Sequence, residues 1–256
     1  MNQMHSILIL AKLNASEWIR LKFFHIIIFF GLVFIAFSHL LSSLTFSVQE
    51  RLLYDFGLAG LELGLIVISS LIGSHSIQRE IDRKTLFVLL SRPIPRSNVV
   101  LGFWLSIVIL CFLFSSGFLL SLIFSSAKSN YNAGLVLATY STFLKAMVVS
   151  SFAIACGLLV RPILALGATL CYWVLCYSIT DIEFFVSKLQ DDNLVNVIKN
   201  VKIFLPEFYR YNWKSYYYLI NTPSNSEIWW ATFHSLAWVS VWLFLASLFF
   251  RRKEIV

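Results

Sequence analysis

Long apolar runs broken by short polar segments dominate the chain. A membrane-spanning helix needs about 20 mostly apolar residues. Six runs meet that length: 23–46, 56–77, 99–124, 133–160, 162–180 and 228–250. The predicted fold class is therefore an all-α integral membrane bundle of six transmembrane helices, with 1–256 forming one domain. Only Arg161 and Pro162 separate the fourth and fifth runs. Proline cannot continue a helix ladder and arginine prefers an interface, so a tight turn is expected there.

Three segments outside these runs carry patterns of their own. In 1–22, Met4, Leu8, Ala11, Ala15 and Trp18 recur at helical spacing, while Lys12, Ser16 and Arg20 lie off that stripe. This predicts an amphipathic helix, either lying in the inner membrane interface or packed on the bundle. In 79–96, Ile81, Thr85, Val88 and Leu89 share one helical face, Glu80, Arg83 and Lys84 lie elsewhere, and Pro93 and Pro95 end the helix. That pattern suits either a helix that docks a soluble partner or an ordinary basic loop. In the long connection 181–227, Leu194, Ile198, Val201 and Leu205 recur helically up to Pro206. Phe208, Tyr209, Tyr211, Trp213, Tyr216, Tyr217 and Tyr218 follow, and then Trp229 and Trp230. Rings with polar tips favour the headgroup layer, so this stretch is expected there as an outer gate, a partner surface or a packed cap.

Composition changes the picture by exclusion. Of 256 residues, 59% are hydrophobic and 13% charged, and the mean hydropathy is +0.79. So few charges cannot cover a water-exposed surface, which excludes soluble and disordered classes. The formal net charge of +7 is read as the flanks of membrane helices, with no nucleic-acid partner. With both termini inside, twelve basic residues fall on the inner side and two, Arg51 and Lys128, in short outer loops. That asymmetry orients the chain, and five of the twelve crowd into 79–96. The first apolar run is too long for a cleaved signal.

Candidate chemistry is sparse. Cys111, Cys156, Cys171 and Cys176 lie in apolar runs and read as small buried hydrophobes. The sequence contains no G-x-x-x-x-G-K-[ST], H-E-x-x-H or G-x-S-x-G, and its five histidines are scattered. Neither a metal site nor a catalytic centre is expected. Two ionisable residues fall inside spans, Glu62 in the second and Lys145 in the fourth. Each should face the bundle interior, as a polar lining of a path, as a mutual ion pair, or with Lys145 snorkelling.

The loop residues Glu80, Thr85-Leu86, Leu89-Leu90-Ser91, Pro93, Arg96 and Leu101-Gly102 follow one another in the order of the signature loop of type-2 ABC exporter permeases. The chain resembles that family along its whole length, from the basic amphipathic N-terminus to the ending Phe249-Phe250-Arg251-Arg252. Lys84 and Phe103 stand where the family usually has Gly and Lys. Leu205-Pro206-Glu207-Phe208 is similar to the subgroup that includes permeases of copper-enzyme (nitrous oxide reductase) maturation systems.

The resemblance implies a multi-pass protein of the bacterial inner membrane with cytoplasmic termini. It would pair with a second permease subunit, as a homo- or heterodimer, surrounded by lipid. A separate ABC ATPase would hold ATP and Mg, and this chain would carry no cofactor. The segment 79–90 would be the coupling helix, contacting that ATPase through Arg79, Glu80, Asp82, Arg83, Lys84, Thr85, Leu86 and Leu89. Two other functions compete with an ATP-driven exporter. One is a force-transmitting subunit acting on a periplasmic partner without solute transport. The other is an ATP-independent carrier using Glu62 or Lys145. An intramembrane enzyme lacks any nucleophile–base arrangement.

Overall fold

A computed structural model describes residues 3–20, 22–43, 49–82, 95–125, 133–188, 192–214 and 223–252. The regular elements among them are helical: α1 Gln3–Arg20, α2 Lys22–Ser43, α3 Gln49–Asp82, α4 Arg96–Ser125, α5 Ala133–Leu159, α6 Pro162–Lys188, α7 Asp192–Ile203, a 3-10 turn Phe208–Tyr211, and α8 Asn225–Arg252. Five helices among the described residues, α3, α4, α5, α6 and α8, are long and apolar enough to cross a membrane. The first expected span coincides with α2, which is helical but is not among those five.

Helix ends follow local chemistry. The turn expected at Arg161-Pro162 is present. α5 stops at Leu159, Pro162 opens α6, and the Ala165 N–H donates to the Arg161 carbonyl at 3.0 Å. Proline suits a first helical position because its missing N–H would be unpaired there anyway. At the start of α8 the Ser224 N–H donates to the Glu227 carboxylate at 2.9 Å, and the Glu227 N–H to the Ser224 hydroxyl at 3.4 Å. This reciprocal pair satisfies two otherwise orphaned donors. α6 runs on to Lys188, so the connection expected to begin at 181 starts eight residues later.

α3 and α5 form the centre. Within its most apolar stretch each is 72% buried, against 28% for α6 and α8. They run side by side in the same direction. Glycine on each helix lets the other approach: a Cβ on Gly73 would lie 2.5 Å from the Ala153 Cβ, and one on Gly157 only 2.6 Å from the Ser74 carbonyl oxygen. Small residues at such seams replace the hydrophobic drive that lipid cannot provide. Buried hydroxyls are satisfied within their own helices, as where Ser69, Ser76 and Ser151 donate to carbonyls three residues back. Aromatic contacts staple α6 and α8 to α5. Phe152 stacks on Tyr172 at 3.9 Å, and the Trp242 indole N–H donates to the Tyr172 hydroxyl at 3.1 Å.

α1 lies along α4. Ala11, Asn14, Ala15 and Trp18 are buried, and Asn14 Nδ2 donates to Ser106 Oγ at 2.8 Å. Of the expected apolar stripe, Ala11, Ala15 and Trp18 meet the bundle, while Met4 and Leu8 are 75% and 51% exposed. The buried face also includes the polar Asn14, whose amide finds its partner on α4.

The ends of α3, α4 and α8 that carry Arg79, Arg96, Arg251 and Arg252 form a basic end of the bundle. Arg79 pairs with Glu17 of α1 at 2.5 Å and lies 5.1 Å from the Trp18 ring centre. Arg96 donates to the carbonyls of Phe250 and Arg251 at 3.0 and 3.1 Å, covering the last turn of α8. A cation there also complements the helix dipole. The connection from α6 to α8 closes the opposite end.

Candidate functional site

Glu62 and Lys145 meet inside this bundle. Their side chains are 4% and 0% exposed, and Lys145 Nζ lies 3.3 Å from Glu62 Oε1. The matching registers of α3 and α5 place the two residues opposite one another. An unpaired charge at such a position is costly, so the remaining polar atoms also need partners. They find them on α6 and on the α7–α8 connection. Lys145 Nζ donates to Asn212 Oδ1 at 3.3 Å, and Asn212 Nδ2 donates to the Tyr177 hydroxyl at 2.8 Å. Lys145 Nζ also lies 5.6 Å from the Tyr177 ring centre. The second Glu62 oxygen, Oε2, pairs with Lys214, whose side chain is 25% exposed. Two ammonium groups thus share one carboxylate, and the outermost of them reaches solvent.

Local structure of the connection explains how Asn212 and Lys214 arrive there. Pro206 has no N–H to prolong α7, and the chain turns inward through the 3-10 turn at Phe208–Tyr211. Phe208, Tyr211 and Trp213 are 0%, 0% and 3% exposed, and Tyr209 is 54% exposed. Of the aromatic residues expected to form an outer gate, a partner surface or a packed cap, the structure thus buries Phe208, Tyr211 and Trp213 and leaves Tyr209 at the surface. The three buried rings fill the end of the bundle beside the charge cluster. Tyr216, Tyr217 and Tyr218 lie outside the described residues.

Ion pairs hold the segment in place. Lys202 of α7 bonds Glu183 of α6 at 2.7 Å and lies 3.6 Å from Glu207, which also pairs with Arg210. Arg210 sits 5.4 Å from the Trp230 ring centre on α8. The hydrogen bond to Glu183 raises the Lys202 ammonium above the ordinary lysine value, with Glu207 adding to it. Burial pushes the Tyr211 phenol above its ordinary range.

The expected docking residues divide. Arg79, Glu80 and Asp82 belong to the last turn of α3 as a continuation of the span. Arg83, Lys84, Thr85, Leu86 and Leu89 lie outside the described residues. The four cysteines are free, and among the described residues no group of three His, Cys, Asp or Glu could hold a metal ion. Sequence reasoning missed Tyr177, Asn212 and Lys214 as neighbours of the intramembrane pair. The available signal was a lysine embedded among the aromatic residues of the long connection.

These features define a polytopic membrane protein with a paired charge cluster in its core. The family model described as ABC-2 family transporter protein matches residues 63–255, and the chain belongs to that family. It is a permease component of an ABC transporter, and membership implies an ABC ATPase partner. Membrane subunits of the family are in general non-catalytic. A comparison with curated proteins gives no match.

Proposed function

We propose that the chain is the transmembrane permease subunit of an ATP-driven export complex in the bacterial inner membrane. In this reading α2 is the first of six spans, both termini are cytoplasmic, and the basic end faces the cytoplasm. Two permease subunits pair, and a separate ATPase holding ATP and Mg docks on the loop 79–96. Arg79, Glu80, Asp82, Arg83, Lys84, Thr85, Leu86 and Leu89 are its contacts, and 79–90 is the coupling helix.

The observation that carries this proposal is the mounting of that loop. Its first end continues α3 and is tied to α1 through Arg79–Glu17. Its second end opens α4 and is tied to α8 through Arg96. A push delivered to either of these ends acts on a long helix that is tied to a neighbour. Glu62 lies 20 residues before Asp82 on the same helix, about 30 Å away at the α-helical rise. Motion at the docking loop therefore reaches the charge cluster through one continuous element.

The test is Glu80→Lys in the complex with the ATPase. Membrane insertion and yield should match wild type, while co-purification of the ATPase or permease-stimulated ATP turnover falls. Wild-type stimulation in the variant complex would count against the docking assignment.

A further inference from the structure

We propose that Glu62 is a recognition carboxylate for an amphiphilic organic cation, and that Lys214 occupies its place as a tethered stand-in. The proposal rests on the export reading and names the cargo chemistry of the same cluster.

Glu62 divides its two oxygens between unlike partners. Oε1 faces Lys145, which is sealed from solvent and also committed to Asn212. Oε2 faces Lys214, which is a quarter exposed and comes from the connecting segment, not from a span. Lys214 is thus the member of the cluster that can leave without moving a helix. Its departure alone would strand a carboxylate oxygen in a nearly dry site, which is unfavourable. Departure in exchange for another cation keeps the charge count unchanged. The exchange therefore favours cargo with a positive group and penalises opening without cargo.

The surroundings suit a cation carried on an apolar body. The Tyr177 ring stays on α6 when Lys214 swings away, and aromatic faces attract cations. Trp213 and Tyr211, both buried, directly precede Lys214 in the connecting segment, so an apolar portion would find apolar contact beside it. An anion would have to compete with Glu62 for ammonium groups that are already paired.

Two hydrophobic ions of the same shape and opposite charge test this directly. Binding of tetraphenylphosphonium and of tetraphenylborate to the purified full-length chain is measured in detergent by equilibrium dialysis. Wild-type protein should bind tetraphenylphosphonium weakly. Lys214→Gln should tighten that binding about tenfold or more, and Lys214→Arg should leave it at the wild-type level. Tetraphenylborate should show no such response, and tetramethylammonium should bind far more weakly than tetraphenylphosphonium. Equal phosphonium affinity in wild type and Lys214→Gln would overturn the proposal. So would tetraphenylborate binding that is lost in Lys214→Gln, or tetramethylammonium binding as tightly as the phosphonium. Lys214 is partly exposed, so its variants avoid the folding risk of changing Glu62 itself. No ATPase or nucleotide is present, so failure here leaves the docking assignment standing, and failure of ATPase docking leaves this result standing.

Discussion

The seam between α3 and α5 has two halves that are held together by opposite means. Toward the basic end, Gly73 and Gly157 admit the facing Ala153 side chain and Ser74 backbone, and nothing charged intervenes. About 16 Å along α3 at the α-helical rise, Glu62 and Lys145 meet across the same seam as ions. Close backbone contact needs no third party, because each helix satisfies its own polar groups. The charged half does need one. Neither Lys145 nor Glu62 is satisfied by the other alone, and the shortfall is made up by Asn212, Tyr177 and Lys214 from outside the seam. The first half is thus a fixed contact, while the second has a partner that can change.

The largest expected effect comes from breaking the charged half. Glu62→Gln leaves Lys145 fully buried without a counter-ion, and losing one member of a buried pair costs about 3–5 kcal/mol. The thermal midpoint of the purified protein should drop sharply. The double variant Glu62→Gln/Lys145→Met removes both ions and should recover a large part of that loss. Strictly additive losses in the two single variants and the double would show that the pair is not coupled.

The sequence displays these two halves unequally. Glu62 and Lys145 stand out because ionisable residues are rare within apolar runs, and their cost in hydrocarbon makes a partner almost obligatory. Their meeting across the seam was one open reading; which other groups joined them was hidden. Lys214 carries no such mark, because its pairing depends on Pro206 turning the chain inward. The same turn buries Phe208, Tyr211 and Trp213, and composition alone does not choose among gate, partner surface and packed cap. Five of the six expected spans were legible because hydropathy and length determine them in lipid. Helix ends were less so. α3 begins at Gln49 and ends at Asp82, beyond the apolar run 56–77, since a helix can continue through polar residues once it has left the hydrocarbon.

An intermediate effect is expected from the small-residue half. In Gly157→Val the new Cβ would meet a backbone carbonyl, which cannot rotate away as a side chain can. The helices must separate, and overpacking of this kind costs about 1–3 kcal/mol. The comparison predicts a specific pattern beyond the size of the loss. Gly157→Val should destabilise by the same amount with Lys214 or with Gln at 214, because the fixed contact does not depend on the connecting segment. A strong interaction between the two substitutions, seen in thermal midpoints of the four proteins, would mean that the halves act as one unit.

The smallest effect concerns the ion pairs that hold the connecting segment over the charged half. Lys202 bonds Glu183 and neighbours Glu207, and its ammonium is raised above the ordinary 10.5 of lysine. A group whose folded value is raised adds stability that is fully present below its unfolded value and fades as pH climbs through the folded one. The stabilisation should therefore be constant through neutral and mildly basic pH and decline only above the ordinary lysine value. The side chains are 21% and 28% exposed, which keeps the pair in the modest range of partly solvated bridges. Comparing wild type with Lys202→Gln from about pH 8 to about pH 11.5 isolates this contribution. The gap in thermal midpoint should hold steady at first and close at the top of that range. A gap that closes at the acidic end of the series would assign the stabilisation to some group other than Lys202.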